Sequence, residues 1–443
     1  MADAVHYFPR GFKWGTATAA YQVEGNNTQS DWWQWERTPG KIADGHKSGA
    51  ACGWWGGRWR EDFDRAAEAG QNTHRLSVEW SRIEPRPAVW DEDALDQYRQ
   101  MLKGLRERGL DPFVTLYHFT LPIWIYEKGG WENPETIRLF ERYVRKVVGA
   151  LGDLCDEWVT LNEPNGMAVQ GWVLGTWPPG KRDPRKLLTV MPNLIKAHCA
   201  AYHAIHAVQP TARVGLAIYT RGFEPARPDF APDRWVANLQ NNILNSVFPD
   251  AAATGSIRMI GRRPEAVPGL ARTQDFFGLN YYTRDYVAFD LTQPAKAFGR
   301  AHFAPGDELD NIGFNAMAPE GFFKMMRWAR HLRVPIVISE NGWSDPADIQ
   351  RPRFLLTHLR QVWRAVNFNW PITGYYYWTL VDNFEWERGW TQRFGLWELD
   401  RETQERKPRP SAKLYAEICK TNSISSDMAA RYAPELMPKM FPG

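Results

Sequence analysis

Residues 59–80 read WREDFDRAAEAGQNTHRLSVEW, and the fold is decided here. The first half places Trp59, Phe63, Ala66 and Ala67 at helical spacing, and Gly70 ends the pattern. The second half, His74 to Trp80, reads as a strand. The same helix-then-strand unit recurs. Leu95, Tyr98, Met101, Leu102 and Leu105 form the next apolar stripe, Gly109 follows it, and Pro112 to Tyr117 reads as a strand. A third unit opens on Asn133-Pro134, a suitable N-cap and first helical residue. It runs through Ile137, Phe140, Val144, Val147, Val148 and Leu151, stops at Gly152 and leads into Glu157 to Leu161.

Further strands are expected at Trp14–Thr18, Arg213–Ile218, Phe276–Leu279, Pro335–Ser339 and Gly374–Trp378, with helical stretches near 193–207, 320–332 and 353–367. Short apolar strands between helices imply a parallel sheet covered by helices. Eight of them favour a closed (β/α)8 TIM barrel over an open doubly wound sheet. The Gly-rich turn of a dinucleotide fold is also missing, since the first strand leads into Ala19-Ala20-Tyr21-Gln22. Such a barrel can hold a chain of 443 residues around one core. We therefore expect one catalytic domain over residues 1–421. Residues 422–443 would form a tail, docked on the surface through Tyr432, Leu436, Met440 and Phe441 or partly disordered.

Chemistry in these barrels sits at the C-terminal ends of the strands. There the sequence delivers Arg75, His118, Asn162-Glu163, Asn280-Tyr281-Tyr282, Glu340-Asn341 and Trp378. Glu163 and Glu340 end strands four and seven, three apart in a ring of eight, and so face each other across the mouth. Two carboxyls flanking one bound ring are what glycoside hydrolysis requires. The 23 Trp, 22 Phe and 16 Tyr fit that reading, because the C–H face of a pyranose packs on flat aromatic rings.

From Phe8 to about Tyr415 the chain resembles glycoside hydrolase family 1, the β-glucosidase family. The resemblance is carried by Phe12 to Ala19, Tyr21 to Gly25, Arg75-Leu76-Ser77, Tyr117-His118, Thr160 to Pro164, Asn280-Tyr281-Tyr282, Ser339 to Gly342, Trp378 to Trp386 and Arg393-Phe394-Gly395. It implies a retaining, exo-acting β-glycosidase, with cellulose degradation as its setting. Glu163 corresponds to the acid/base and Glu340 to the nucleophile. Gln22, His118, Asn162, Glu385 and Trp386 correspond to groups that bind hydroxyls of the innermost sugar, Trp378 to the ring under it, and Phe394 to an aromatic at its edge. Arg75 and Tyr282 resemble the pair that orients the nucleophile, and Asn280 a position near it. Where the family has Trp-Asp after the His, this chain has Phe119-Thr120.

Elementary electrostatics agrees with those roles. Arg75 cannot lose its charge and should hold Glu340 ionised with a low pKa, while Tyr282 donates a hydrogen bond. Glu163 needs a higher pKa, to be protonated when substrate arrives. Neither a metal nor a cofactor is expected, because no second ligand stands at metal spacing from His118. The wall near the leaving group could use Trp172 and Trp343, and the pairs Trp32-Trp33 and Trp54-Trp55 are either loop packing or site wall. His198, His203 and His206 read as ordinary helix residues. A 6-phospho-β-glycosidase is disfavoured by the acidic Glu385, and a non-catalytic sugar-binding barrel by the presence of both glutamates.

A net charge of +3 points to neither nucleic acid nor a membrane surface as partner. The expected partner is a small oligosaccharide or an aryl or alkyl β-glycoside, and homo-oligomerisation is left open. Cys52, Cys155, Cys199 and Cys419 have no ligand spacing and read as free, mostly buried thiols. With no apolar leader in Met1 to Trp14, the expected location is cytoplasmic.

Overall fold

A computed structural model describes residues 4–442. Eight strands close on themselves: β1 Lys13–Ala17, β2 Thr73–Ser77, β3 Asp111–Thr115, β4 Glu157–Asn162, β5 Arg213–Pro225, β6 Phe276–Phe289, β7 Ile336–Asn341 and β8 Ile372–Trp378. Every neighbour pair is parallel, and β8 pairs with β1 from Gly374↔Lys13 to Trp378↔Ala17, which completes the ring. After each strand a helix returns along the outside: α1 Trp59–Glu68, α2 Glu92–Glu107, α3 Glu135–Leu151, α4 Leu187–Val208, α5 Val247–Thr254, α6 Pro319–Ala329, α7 Arg351–Asn367 and α8 Pro410–Thr421. The expected (β/α)8 barrel is the fold.

Local chemistry sets the helix ends where the sequence suggested. Gly70 and Gly109 take φ of +76° and +71° past α1 and α2, a conformation without penalty only for glycine. Asp91 caps α2 by accepting from the Ala94 N–H, and Asn133 accepts from the Glu135 N–H at the start of α3. Helix α4 begins earlier than the expected 193, because it tolerates Pro192 inside it. The Leu188 carbonyl, which a prolyl nitrogen cannot serve, accepts instead from Arg262 Nη1 at 3.0 Å.

Two strands outrun the expectation. β5 and β6 stay paired as far as Pro225↔Val287, well past Ile218 and Leu279. The extension survives outside the barrel because helix Ala231–Asn241 covers it, packing Val236 and Ala237 on Val287. Conversely, β2 ends at Ser77, and Trp80 opens a short helix to Ile83 instead of finishing a strand.

The interior of the barrel is filled. Phe113 from β3 packs on Phe276 and Tyr376 at ring distances of 5.5 and 5.2 Å, and the Arg75 guanidinium lies above Phe113. An aromatic layer therefore closes the barrel below Arg75, separating the polar groups above it from the Lys13–Glu157–Arg213 ion pairs at the other end of the strands. At the chain ends, Val5–Tyr7 pairs antiparallel with Ser423–Ser425. His6 stacks between Trp363 and Phe441, while Leu436 and Met440 are buried. All four cysteines are unpaired and buried, and among the described residues no helix is long and apolar enough to cross a membrane.

Candidate active site

Glu340 stands near the end of β7, and its two carboxylate oxygens have different partners. Oε1 accepts from Arg75 Nη1 at 2.6 Å, and Oε2 accepts from the Tyr282 hydroxyl at 2.7 Å. Arg75, fully buried, also donates to Asn162 Oδ1 at 2.6 Å, to Thr115 Oγ1 at 3.2 Å and to the Ser339 carbonyl at 3.1 Å. Its fork is thus fixed from β2, β3, β4 and β7 together. Gly342 lets the chain leave β7 tightly, since a Cβ there would meet the Trp378 carbonyl at 2.0 Å.

Glu163 follows β4 directly and is held at φ 44°, ψ 47°, a left-handed conformation that strains a side-chain-bearing residue. Its N–H donates to the Ala217 carbonyl at 2.7 Å. Among the described residues only an amide serves its carboxyl: Asn280 Nδ2 donates to Oε1 at 2.8 Å. Asn280 is fixed in turn by Asn162 Oδ1 and by the Ser339 hydroxyl.

The two carboxyls therefore differ electrically. Burial pushes Glu163 well above the usual range, and the neighbouring Glu340 charge pushes it further. Burial also raises Glu340, against the expected low value, while Arg75 and Tyr282 pull it back. Counting ligands along the sequence omits the desolvation of a carboxyl that is 3% exposed. A guanidinium and a phenol stabilise negative charge better than one amide, so Glu163 is raised further than Glu340.

The remaining residues complete a cavity of about 410 Å³. His118, Glu163, Tyr282, Glu340, Trp378, Glu385, Trp386 and Phe394 line it. Gln22, Arg75, Asn162 and Asn280 stand behind the lining, all buried. Burial raises the Glu385 pKa to about 8, and Glu385 accepts from Trp378 Nε1 at 3.1 Å. Burial, with Arg75, holds His118 well below its ordinary value, hence neutral. Asn162 Oδ1 is occupied by Arg75 and Asn280, so its Nδ2 must face His118 Nε2, 3.0 Å away. That assigns the imidazole proton to Nδ1. His118 Nδ1 and Gln22 Oε1 are buried without a partner among the described residues. One donor and one acceptor stand ready for hydroxyls.

Several wall residues were not foreseen. Trp177, Tyr219, Phe314, Asn315, Glu387 and Gln392 also line the cavity. The Trp177 indole donates to Glu387 at 2.5 Å, and its ring lies 4.7 Å from Phe119. Trp172 and Trp343 are not at the entrance. Trp172 donates to Glu132 and is buried, and Trp343 packs on Phe354 with no exposure. Val169, Leu174, Leu244 and Phe314 occupy that place. Trp32 backs the wall, 4.7 Å from Trp386. Trp54 is loop packing, on Phe63 and against Asp62. His198 ties α4 to the barrel, with Thr160 at 2.7 Å and the Thr273 carbonyl at 2.8 Å.

The profile of the family described as glycosyl hydrolase family 1 matches residues 4–424. The chain belongs to glycosyl hydrolase family 1. Its relatives include β-glucosidase A of Thermotoga maritima, 32% identical over 95% of this chain and 99% of the relative. Another is a β-galactosidase of Sulfolobus acidocaldarius, 31% identical over 95% and 96%. Among solved structures, a β-glycosidase from Pyrococcus horikoshii superposes with a TM-score of 0.90 at 35% identity, covering 97% of this chain and 98% of that one. The Thermotoga maritima β-glucosidase in complex with deoxynojirimycin gives 0.89 at 30%, covering 95% and 100%. This family member is thus a glycoside hydrolase, acting on O-glycosyl bonds, and its relatives carry both β-glucosidase and β-galactosidase names.

Proposed function

We propose that the chain is a retaining, exo-acting β-glycosidase of the β-glucosidase type, releasing terminal non-reducing glycosyl residues. The observation that carries this reading is the unequal pair: Glu340 clamped by a guanidinium and a phenol, and Glu163 met by an amide. Glu340 attacks the anomeric carbon while Glu163 gives its proton to the departing oxygen, leaving a glycosyl ester on Glu340. Esterification removes the negative charge that raised Glu163, so its pKa falls. It then takes a proton from water as that water attacks the same carbon, and Glu340 leaves as carboxylate. Asn280 bonds Glu163 and also lowers the Glu340 pKa by hydrogen bonding. One amide reaching both carboxyls supports the short separation of retaining enzymes, about 5–5.5 Å, over the longer one of inverting enzymes.

Trp378, Trp386 and Phe394 offer apolar faces to the sugar, and Gln22, His118, Asn162 and Glu385 its polar partners. Arg75, Tyr282 and Asn280 orient the carboxyls. Four buried free thiols favour action in the reducing cytoplasm. The test is proton NMR of the first sugar released from an aryl β-glucoside. The β-anomer is expected first, and release of the α-anomer refutes retention. Glu340→Gln is expected to abolish turnover in the same assay, and normal turnover by that variant defeats the assignment.

A further inference from the structure

The open end of the cavity carries polar atoms that the reaction above leaves unused. Their meaning rests on the reading that the cavity binds a β-glycoside. Phe314 and Asn315 lie between β6 and α6. Phe314 is 38% exposed at the mouth, with the Arg388 guanidinium 5.1 Å from its ring centre. Asn315 beside it is only 4% exposed and lines the cavity, yet its Oδ1 has no hydrogen-bond partner among the described residues.

The orientation of that amide is fixed. Asn315 Nδ2 donates to Asp310 Oδ2 at 2.9 Å. Asp310 Oδ1 already accepts the N–H groups of Phe314 and Ile312 at 2.8 and 3.3 Å. Asp310 thus acts as an acceptor, and the Asn315 atom facing it must be the NH2. Gln392, also lining the cavity, turns its Nε2 toward the same Asp310 oxygen at a longer 3.5 Å. One carboxylate therefore aligns two amides with their nitrogens toward it, leaving an acceptor beside a part-exposed aromatic ring that the Arg388 and Arg221 guanidiniums also approach, at 5.1 and 5.9 Å. Glu340, 3% exposed, lies below the mouth that Phe314 marks at 38%, so this wall faces the group that departs.

We propose that Asn315 is a specificity-determining residue for the leaving group. Its Oδ1 accepts a hydrogen bond from a hydroxyl of a sugar lying on Phe314, and Asp310 is the positioning residue that holds that oxygen toward the cavity. A sugar supplies hydroxyl donors to the Asn315 acceptor, whereas a nitrophenyl group supplies none. The enzyme accordingly takes glycosides with a sugar leaving group by a contact that aryl glycosides cannot make.

The experiment compares kcat/KM for cellobiose and for nitrophenyl β-glucoside in the whole enzyme and in Asn315→Ala. One lost hydrogen bond corresponds to about 5- to 10-fold. That loss is expected on cellobiose, expressed mainly in KM, with nitrophenyl β-glucoside unchanged within about twofold. Equal losses on both substrates, or none on cellobiose, overturn the proposal. Asp310→Asn keeps an oxygen for the two backbone N–H groups but frees the Asn315 amide to turn over. A smaller loss confined to cellobiose is expected of it, and it decides the matter alone if Asn315→Ala does not fold. Failure of the unaltered enzyme on both substrates would instead refute the β-glucosidase reading on which this rests.

Discussion

Tyr282→Phe removes a single oxygen from the site. The ring keeps its neighbours, Phe394 at 6.0 Å and Tyr219 at 6.4 Å, so the change isolates the 2.7 Å hydrogen bond to Glu340 Oε2. A hydrogen bond to a charged group contributes about 1.5–3 kcal/mol. The cavity is open to water that can replace part of it, which favours the lower end of that range. At about 1.4 kcal/mol per pH unit, the Glu340 pKa should rise by about one unit. The sign follows from which form the bond stabilises: the phenol stabilises the carboxylate, so losing it makes protonation easier. Glu340 must be ionised to attack, and the acid limb of the kcat/KM profile should therefore move about one pH unit upward. The basic limb, governed by Glu163, should move less, because the two groups titrate as a coupled pair. The assay is kcat/KM for nitrophenyl β-glucoside from pH 4 to 9, with thermal unfolding as a control for folding. An acid limb that stays in place while the rate falls would show that Tyr282 acts on something other than the charge of Glu340.

Glu163→Gln should lower kcat on alkyl β-glucosides by about 10²- to 10⁴-fold, but far less with a dinitrophenyl leaving group, and should erase the basic limb; equal losses on both substrates contradict proton donation by Glu163. Asp31 is buried with its pKa raised to about 7 by that burial. Its Oδ1 alone accepts from Trp32 N, Leu121 N and Ser30 Oγ, so Asp31→Asn keeps every bond and removes the charge. The unfolded chain ionises this group near its ordinary pKa and the folded one only near 7, so its contribution to stability falls as pH rises between those values. The unfolding free energy of Asp31→Asn, read from denaturant titrations, should therefore exceed that of the parent increasingly from pH 4 to 7, by at most about 4 kcal/mol; a constant difference across that range refutes the argument. Asp62→Ala leaves the fully buried Arg406 unpaired, at a cost of about 3–5 kcal/mol. Denaturation should show it, and an unchanged midpoint would mean that Arg406 finds another partner.

Much of the barrel was legible because strand and helix periods repeat locally, as in residues 59–80. The polar residues at strand ends were equally legible, Glu163 and Glu340 among them. Irregular loops were not. Asn315, Glu387 and Gln392 reach the cavity only through tertiary packing, and Asn315 is recognisable only once Asp310 is seen to fix its amide. Trp343 shows the converse: a residue close to Glu340 in sequence packs into the core on Phe354, where the chain passes tightly by the Trp378 carbonyl at Gly342. The Glu340 pKa was misjudged for the same kind of reason, since burial has no sequence signature. The long β5–β6 ribbon escaped because its cover, the Ala231–Asn241 helix that follows β5, is revealed only by packing.

The left-handed backbone at Glu163 bears on how such an enzyme can change over time. A glycine there would relieve about 1–3 kcal/mol of strain, and would also spare the burial of a carboxyl. Loss of activity at this position is therefore a step downhill in folding free energy. Relatives that have given up hydrolysis and kept the barrel should be found with a small or amide side chain in this place, and they should melt higher than their active cousins.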